Sequence, residues 1–291
     1  MDPQTFMEVA TVVKKLKMYP YFELAHFTLM CMISREDHPV QTGPGQSSSP
    51  FSRKHPLACW MSSMMLCFAG GIIGNLLVGE PLVTPFKDHH NVLVATGVWY
   101  LINYSPFDVV YKILRFTPIR LVISVMKEIQ RTNKIHHAVT YAMKLYPNSY
   151  IIIAMIGVIK GSGAEHMRTF GRLVMGNWEP GRVEYLQPKF VTKASLAATV
   201  IFVLEKLHII QAPHVLIYFG VCIFLVYFRI SAIVLGIADP FVPFENLFCA
   251  IFMGGIFDAL KRAVMPEKKP EEDKGDHRND FIKNKEDKKK D

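Results

Sequence analysis

The sequence lacks the motifs that mark most enzymes, metal sites and nucleic-acid-binding domains. It contains no G-x-S-x-G, no H-E-x-x-H and no phosphate-binding glycine loop, so an enzyme is not expected. The histidine pairs at 89–90 and 136–137 have neither ligand spacing on a helix face nor a supporting cysteine or carboxylate cluster, so no metal is expected. The aromatic residues lie in apolar runs rather than among basic residues, which argues against nucleic-acid binding.

Cysteine is scarce, and no C-x-x-C occurs. All five cysteines lie in apolar stretches, which favours a role as small core residues over redox or zinc chemistry. They are Cys31, Cys59, Cys67, Cys222 and Cys249. The N-terminus also lacks the long apolar region of a cleavable signal peptide, so we expect the first spanning helix to direct membrane insertion.

Charge is absent from long stretches of a chain that is 50% hydrophobic, such as residues 219–228. A hydrocarbon core of about 30 Å requires roughly 20 mostly apolar helical residues, and this pattern supplies several such segments. The sequence therefore predicts an all-α, multi-spanning membrane protein. The formal net charge of +8 then fits Lys and Arg on cytosolic loops near anionic lipid.

Seven spanning helices are predicted within a transmembrane domain at residues 16–260. We expect a luminal N-terminus at residues 1–15 and a disordered, cytosolic charged tail at 261–291, because that tail has almost no apolar residues. The polar loop at 41–54 should be mobile. A shorter apolar segment at 246–260 is either interfacial or a continuation of the seventh helix. The spans are predicted at about 16–34, 56–78, 91–104, 118–146, 149–174, 190–210 and 214–236.

The distribution of Lys and Arg among the loops predicts the orientation. These residues concentrate in the loops that share a side with the C-terminus, which places the C-terminus in the cytosol and the N-terminus in the lumen. Lys14, Lys15 and Lys17 are the exception. The last four residues, KKKD, resemble the dilysine signal that retrieves membrane proteins to the endoplasmic reticulum.

Two glycine-rich helices indicate an internal repeat. Each lies in the middle of a group of three spans, so we predict two inverted three-helix repeats followed by an added seventh helix. The glycines could let both helices unwind and expose carbonyl groups to a water-filled path, or they could allow close helix packing. These residues are Gly70, Gly71 and Gly74 in the second span and Gly157, Gly161 and Gly163 in the fifth.

A basic face within the fourth span is the most informative feature for function. Lys127, Arg131 and Lys134 follow one another at i, i+4 and i+7 and so share one side of a helix. Lipid exposure would cost about 2.5–3.5 kcal/mol per charge, so the face must meet water, a counter-charge or an anionic ligand such as a phosphoinositide headgroup. Alternatively, the helix boundary lies elsewhere and the side chains snorkel to an interface.

Several stretches of this sequence are similar to the trimeric intracellular cation channel (TRIC) family. The resemblance extends over about residues 19–244, and the charged tail is outside it. The matching stretches are YPYFELAH at 19–26, CFAGG at 67–71, NVLVA at 91–95, WY at 99–100, SPFD at 105–108, KEIQRT at 127–132 and RLVMGNWEP at 172–180.

The resemblance implies a homotrimeric potassium channel of the endoplasmic or sarcoplasmic reticulum, with one pore in each subunit. Its current would balance the charge moved when calcium leaves or enters the store. The family's lysine-glutamate-valine motif reads Lys127-Glu128-Ile129 here. The resemblance further implies that phosphatidylinositol 4,5-bisphosphate binds Lys127 and Arg131 at the cytosolic mouth of the pore. It also implies helix breaks in the pore at Gly70–Gly71 and Gly161–Ser162–Gly163.

The residues alone leave three functions open: a passive channel, a coupled secondary transporter, and a lipid-binding membrane protein without conduction. Inverted repeats and broken helices serve both channels and transporters. A pore lined by Lys127 and Arg131 should also repel potassium, so we expect lipid phosphates to neutralise that face. Three acidic residues could supply counter-charges: Glu23, Asp108 and Glu205.

Overall fold

The computed structural model describes residues 3–37, 51–174, 184, 187–237 and 239–255. Within these ranges every regular element is a helix, which confirms the predicted all-α class. The α-helices are α1 (Pro3–Lys14), α2 (Tyr21–Asp37), α3 (Phe51–Lys54), α4 (Pro56–Val78), α5 (His89–Tyr104), α6 (Val109–Arg115), α7 (Thr117–Leu145), α8 (Tyr150–Val174), α9 (Phe190–Lys206), α10 (His214–Leu235) and α11 (Val242–Phe252). Short 3₁₀ turns cover Thr84–Phe86 and Pro106–Asp108.

Local sequence explains where several helices begin and end. Proline occupies the first turn of α4 and of α7, where its missing N–H is not needed. The Asp88 carboxylate caps α5 by accepting a hydrogen bond from the His90 backbone N–H at 3.1 Å. Gly79 ends α4 with φ at 80°, a left-handed conformation that glycine adopts without strain. As a result, α4, α5 and α7 begin and end close to the ends of the predicted spans.

Most predicted spans coincide with one long helix, although the ends differ. The first span was predicted to begin near residue 16, whereas α2 begins at Tyr21. The sixth was predicted to reach residue 210, whereas α9 ends at Lys206. Residues 3–14, predicted as a luminal terminus, form α1, which packs against α10 with the Phe6 and Phe219 rings 5.3 Å apart. The charged tail at 261–291 and most of the loop at 41–54 lie outside the described residues.

The helices form two groups that pack side by side. α2, α4 and α5 contact one another around a core that includes Phe27, Met64 and Trp99. α7, α8 and α9 do the same, together with α10, around a core that includes Ile156 and Phe202. The groups meet where α4 packs on α8 and α2 packs on α7. The middle helix of each predicted repeat therefore contacts the middle helix of the other.

The helix breaks expected at the glycines are absent, which corrects that prediction. α4 continues through Gly70 and Gly71, and α8 continues through the segment from Gly161 to Gly163. A Cβ atom on Gly163 would lie 2.6 Å from the Gly70 Cα. The glycines thus let two intact helix backbones approach closely, which is the packing alternative.

Two of the described helices, α4 and α10, are long and apolar enough to cross a membrane by length and composition. α7 has 29 residues and is longer than either, but it carries the charged face described above. α11, a helix of 11 residues, belongs to a second unit that begins at Val242, and it overlaps the apolar segment predicted at 246–260.

Candidate functional site: a polar cavity beside α7

A cavity of about 440 Å³ lies between α2, α4, α7 and α8, with additional wall residues from α5 and from the turn before it. One side of α7 lines it, which is the face that the spacing of the basic residues predicted. Six of the predicted site residues meet at this cavity although they belong to three different helices. They are Gly70, Gly71, Lys127, Arg131, Gly161 and Gly163.

Lys127 connects three helices at the cavity wall. Its side chain is buried, with 7% exposed, and its ammonium donates a hydrogen bond to Nδ1 of His26 on α2. Since Nδ1 accepts this bond, the imidazole proton lies on Nε2 and is donated to the Cys67 carbonyl of α4 at 2.8 Å. The ammonium is therefore held within the protein rather than directed toward lipid.

Arg131 and Glu128 form a buried ion pair one turn apart on α7. The Arg131 Nε also donates to the Gly161 carbonyl of α8 at 3.1 Å. On the other side of Glu128, the Nε of Arg229 on α10 lies 3.8 Å from Oε1. One carboxylate that is 1% exposed thus serves two guanidinium groups, so this cluster retains one excess positive charge.

The remaining predicted residues occupy distinct places. Glu128 lies behind the cavity wall, and Ser162 points away from the cavity, donating to the Val158 carbonyl at 2.8 Å.

Lys134 lines the cavity as its spacing predicted. Lys160 also lines it and donates to Asn75 Oδ1 at 3.3 Å. The lining contains four cationic side chains and one carboxylate, that of Glu23, so the cavity is electropositive.

A second charge cluster joins the end of α2 to α8. Asp37, the last residue of α2 and outside the predicted first span, accepts from Arg168 Nη2 and from Arg172 Nη2, each at 2.7 Å. Burial acts to raise the pKa of Asp37, but the hydrogen bonds and charges of the two guanidinium groups outweigh it and lower that pKa. Asp37 therefore remains ionised and connects the two groups of helices at this end.

Sequence reasoning missed His26, Arg229 and Asp37 as members of these clusters. His26 stood inside a matching stretch, but nothing in its spacing indicated a contact with Lys127, which lies 101 positions away. Arg229 is an arginine within an otherwise apolar span, and such a residue normally has a partner inside the protein. Because a charged residue in an apolar span is rare, its presence could have indicated that Arg229 pairs with an acidic residue.

The comparisons with known proteins agree with this architecture. The family model described as TRIC channel matches residues 45–236. A trimeric intracellular cation channel type 1B.1 from Caenorhabditis elegans is 48% identical over 265 residues, which is 91% of this chain and 88% of that protein. A type B-A channel from Xenopus laevis is 31% identical over 252 residues, with 86% of each chain covered.

Solved structures show the same fold. A trimeric intracellular cation channel from C. elegans in the absence of Ca²⁺ has a TM-score of 0.74 and 40% identity, covering 82% of this chain and 100% of that one. A structure described as the basis for activity of TRIC counter-ion channels in calcium release has a TM-score of 0.71 and 31% identity. It covers 79% of this chain and 99% of its own.

The helical fold and these matches define the class as an intracellular membrane cation channel rather than an enzyme. The chain belongs to the TRIC channel family, which confirms the resemblance seen in the sequence.

Proposed function

We propose that this protein is a potassium-permeable channel of the endoplasmic or sarcoplasmic reticulum that supplies counter-ion current during calcium release and uptake. It assembles as a homotrimer and crosses the membrane seven times, as two inverted repeats and an added helix, with its C-terminus in the cytosol. The names of its relatives, trimeric intracellular cation channels, support this proposal, as does the structure described for counter-ion channels in calcium release.

One observation carries the further proposal that each subunit has its own pore. The cavity beside α7 is formed by helices of a single chain, and charged and polar side chains of α7, the longest helix, line one side of it. Polar groups inside a membrane domain are costly unless they face water or one another, so a cluster of them indicates a hydrated path. A pore on a threefold axis would not require such a cavity within one chain.

The cationic side chains of this cavity suit a phosphoinositide headgroup at its cytosolic end. Arg131 uses its Nε for Gly161 and one Nη for Glu128, and a guanidinium has five N–H donors in all, so donors remain for a phosphate. Lys127 would exchange the neutral His26 for an anionic oxygen, which is a stronger acceptor. Bound phosphates would also offset the positive charge that opposes a permeating cation.

Planar-bilayer recording of the purified protein under a potassium chloride gradient tests the proposal. We expect discrete openings that reverse near the potassium equilibrium potential and increase when phosphatidylinositol 4,5-bisphosphate is added. Lys127→Gln should weaken the lipid response about fivefold, because a basic residue near anionic lipid contributes about 1 kcal/mol.

Lys144→Gln is the matched control, since Lys144 is an exposed lysine in the last turn of the same helix. Equal lipid responses in Lys127→Gln and the wild type would refute the assigned headgroup site. Slow, saturable flux without unitary currents would instead indicate a coupled transporter, and silence with lipid binding would indicate a lipid-binding protein.

A further inference from the structure

An electropositive cavity poses a problem for a protein that conducts cations. Arg131 pairs with the Glu128 carboxylate, whereas Lys127 and Lys160 donate to the neutral His26 and Asn75. Hydrogen bonds to neutral groups leave these charges in place. A desolvated cation in this cavity therefore needs oxygen ligands that belong to the protein.

Two amide side chains in the cavity wall have oxygen atoms available for this purpose. Gln130 is 1% exposed, and neither Oε1 nor Nε2 of its side chain has a hydrogen-bond partner in the described part of the chain. Asn91 donates its Nδ2 to Asp88 at 2.7 Å, while its Oδ1 is buried without a donor among the same residues. Buried polar atoms are rarely left without a partner, so we expect a ligand at both oxygens.

The positions of the two amides fit a path through the cavity. Gln130 lies near the midpoint of α7, on the lining face between Lys127 and Lys134. Asn91 lies in the first turn of α5, beside the capping Asp88. A cation moving through the cavity would therefore meet these amides at separate points. Carbonyl-type oxygens are the ligands that replace the hydration shell of potassium in selective channels.

We propose that the side-chain oxygens of Gln130 and Asn91 coordinate the permeating alkali cation, and that Gln130 is the main determinant of conductance in the cavity. This inference rests on the proposed channel function. The amide oxygen offers a partial negative charge among the cationic side chains that line the cavity, so a permeating cation has a local energy minimum beside it. Gln130 is placed in this role by its burial, its lining position and its unpaired amide.

Substitutions of similar size at position 130 separate this role from packing. Gln130→Met removes the amide and should lower the unitary potassium conductance about threefold to tenfold, because an oxygen ligand is lost. Gln130→Glu keeps an oxygen in place and adds a negative charge, so conductance and the preference for potassium over chloride should both rise. Ser124→Ala is the control, since Ser124 on α7 is also buried without a hydrogen-bond partner among the described residues but is not one of the residues that line the cavity.

The outcomes distinguish failure of this inference from failure of the channel proposal. A silent wild-type protein would refute the channel function itself. A conducting wild type, with Gln130→Met and Gln130→Glu either unchanged or equally impaired, would show that Gln130 only fills space. If Gln130→Met fails to fold, Asn91→Leu provides the second test at the other amide. It should lower conductance in the same direction, and unchanged conductance would overturn the proposal.

Discussion

Two regions of the cavity wall are built in opposite ways. Where α4 meets α8, the wall consists of backbone, because Gly70 and Gly163 have no side chains to separate the helices. Along α7, the wall consists of long side chains whose charged ends are held by partners on other helices. An added side-chain atom would overpack the first region, whereas the stability of the second region depends on the balance of buried charges. The comparison shows that sequence composition alone does not reveal whether close backbone packing or the balance of buried charges limits substitution at a given part of the wall.

Of the two regions, the buried charge cluster behind α7 should lose more stability when one of its residues is substituted. Glu128→Gln keeps the shape of the side chain but leaves Arg131 and Arg229 without their carboxylate. Removing one partner from a buried ion pair typically costs about 3–5 kcal/mol. We expect the unfolding temperature of the detergent-solubilised protein to fall by about 10 °C.

Adding Arg229→Leu to Glu128→Gln should recover part of that loss, because one of the uncompensated charges is removed. A double variant that is no more stable than Glu128→Gln would show that Arg229 is not coupled to Glu128 and that the 3.8 Å separation is incidental.

The backbone contact between α4 and α8 should show a smaller but still large effect. Gly163→Ala would place a methyl group 2.6 Å from the Gly70 Cα, and neither helix backbone can move aside without shifting its neighbours. Overpacking of this kind costs about 1–3 kcal/mol, so the unfolding temperature should fall by about 5 °C.

Gly97→Ala provides the matched control on α5, because an added Cβ at Gly97 meets no atom within 4 Å. Alanine is the better helix former, so this variant should be as stable as the wild type or slightly more stable. Equal effects at positions 97 and 163 would contradict the close contact and would reopen the possibility that the glycine segments unwind.

The ion pairs between α2 and α8 should contribute least to the stability of the folded protein. Asp37→Asn removes a carboxylate that two arginines bind at a partly exposed position, and we expect a fall of a few degrees in unfolding temperature. The folded-state pKa of Asp37 is lowered below the usual 3.8, so its contribution is fully present above that value. The contribution is lost as pH falls below about 4 and through the folded-state pKa.

Thermal unfolding at pH 7 and at pH 3 measures this dependence. The difference in stability between the wild type and Asp37→Asn should shrink at the lower pH, because protonated Asp37 no longer binds the two guanidinium groups as an anion. A difference that is the same at both values would contradict the stabilisation of Asp37 by Arg168 and Arg172.

Local patterns predicted the helices and the basic face of α7, because periodicity and run length depend on neighbouring residues. The same reasoning could not decide between broken and packed helices, since the answer depends on what faces Gly163 from a segment about 90 positions away. It also missed the pairing of Asp37 with Arg168, 131 positions apart, and of Glu128 with Arg229. Each of these contacts exists only after the two groups of helices have come together.

The central claim is that ions pass through the cavity of each subunit, and a cysteine introduced into its wall tests this most directly. Ala164 lines the cavity from α8 and is partly accessible, whereas Ala198 on α9 is fully buried outside the cavity and serves as the control. Both changes are made with Cys67→Ser, because Cys67 also lines the cavity. A positively charged thiol reagent should suppress the potassium current of Ala164→Cys but leave that of Ala198→Cys and of the Cys67→Ser parent unchanged. A current that persists after mass spectrometry confirms modification at position 164 would contradict the account and would place the ion path elsewhere.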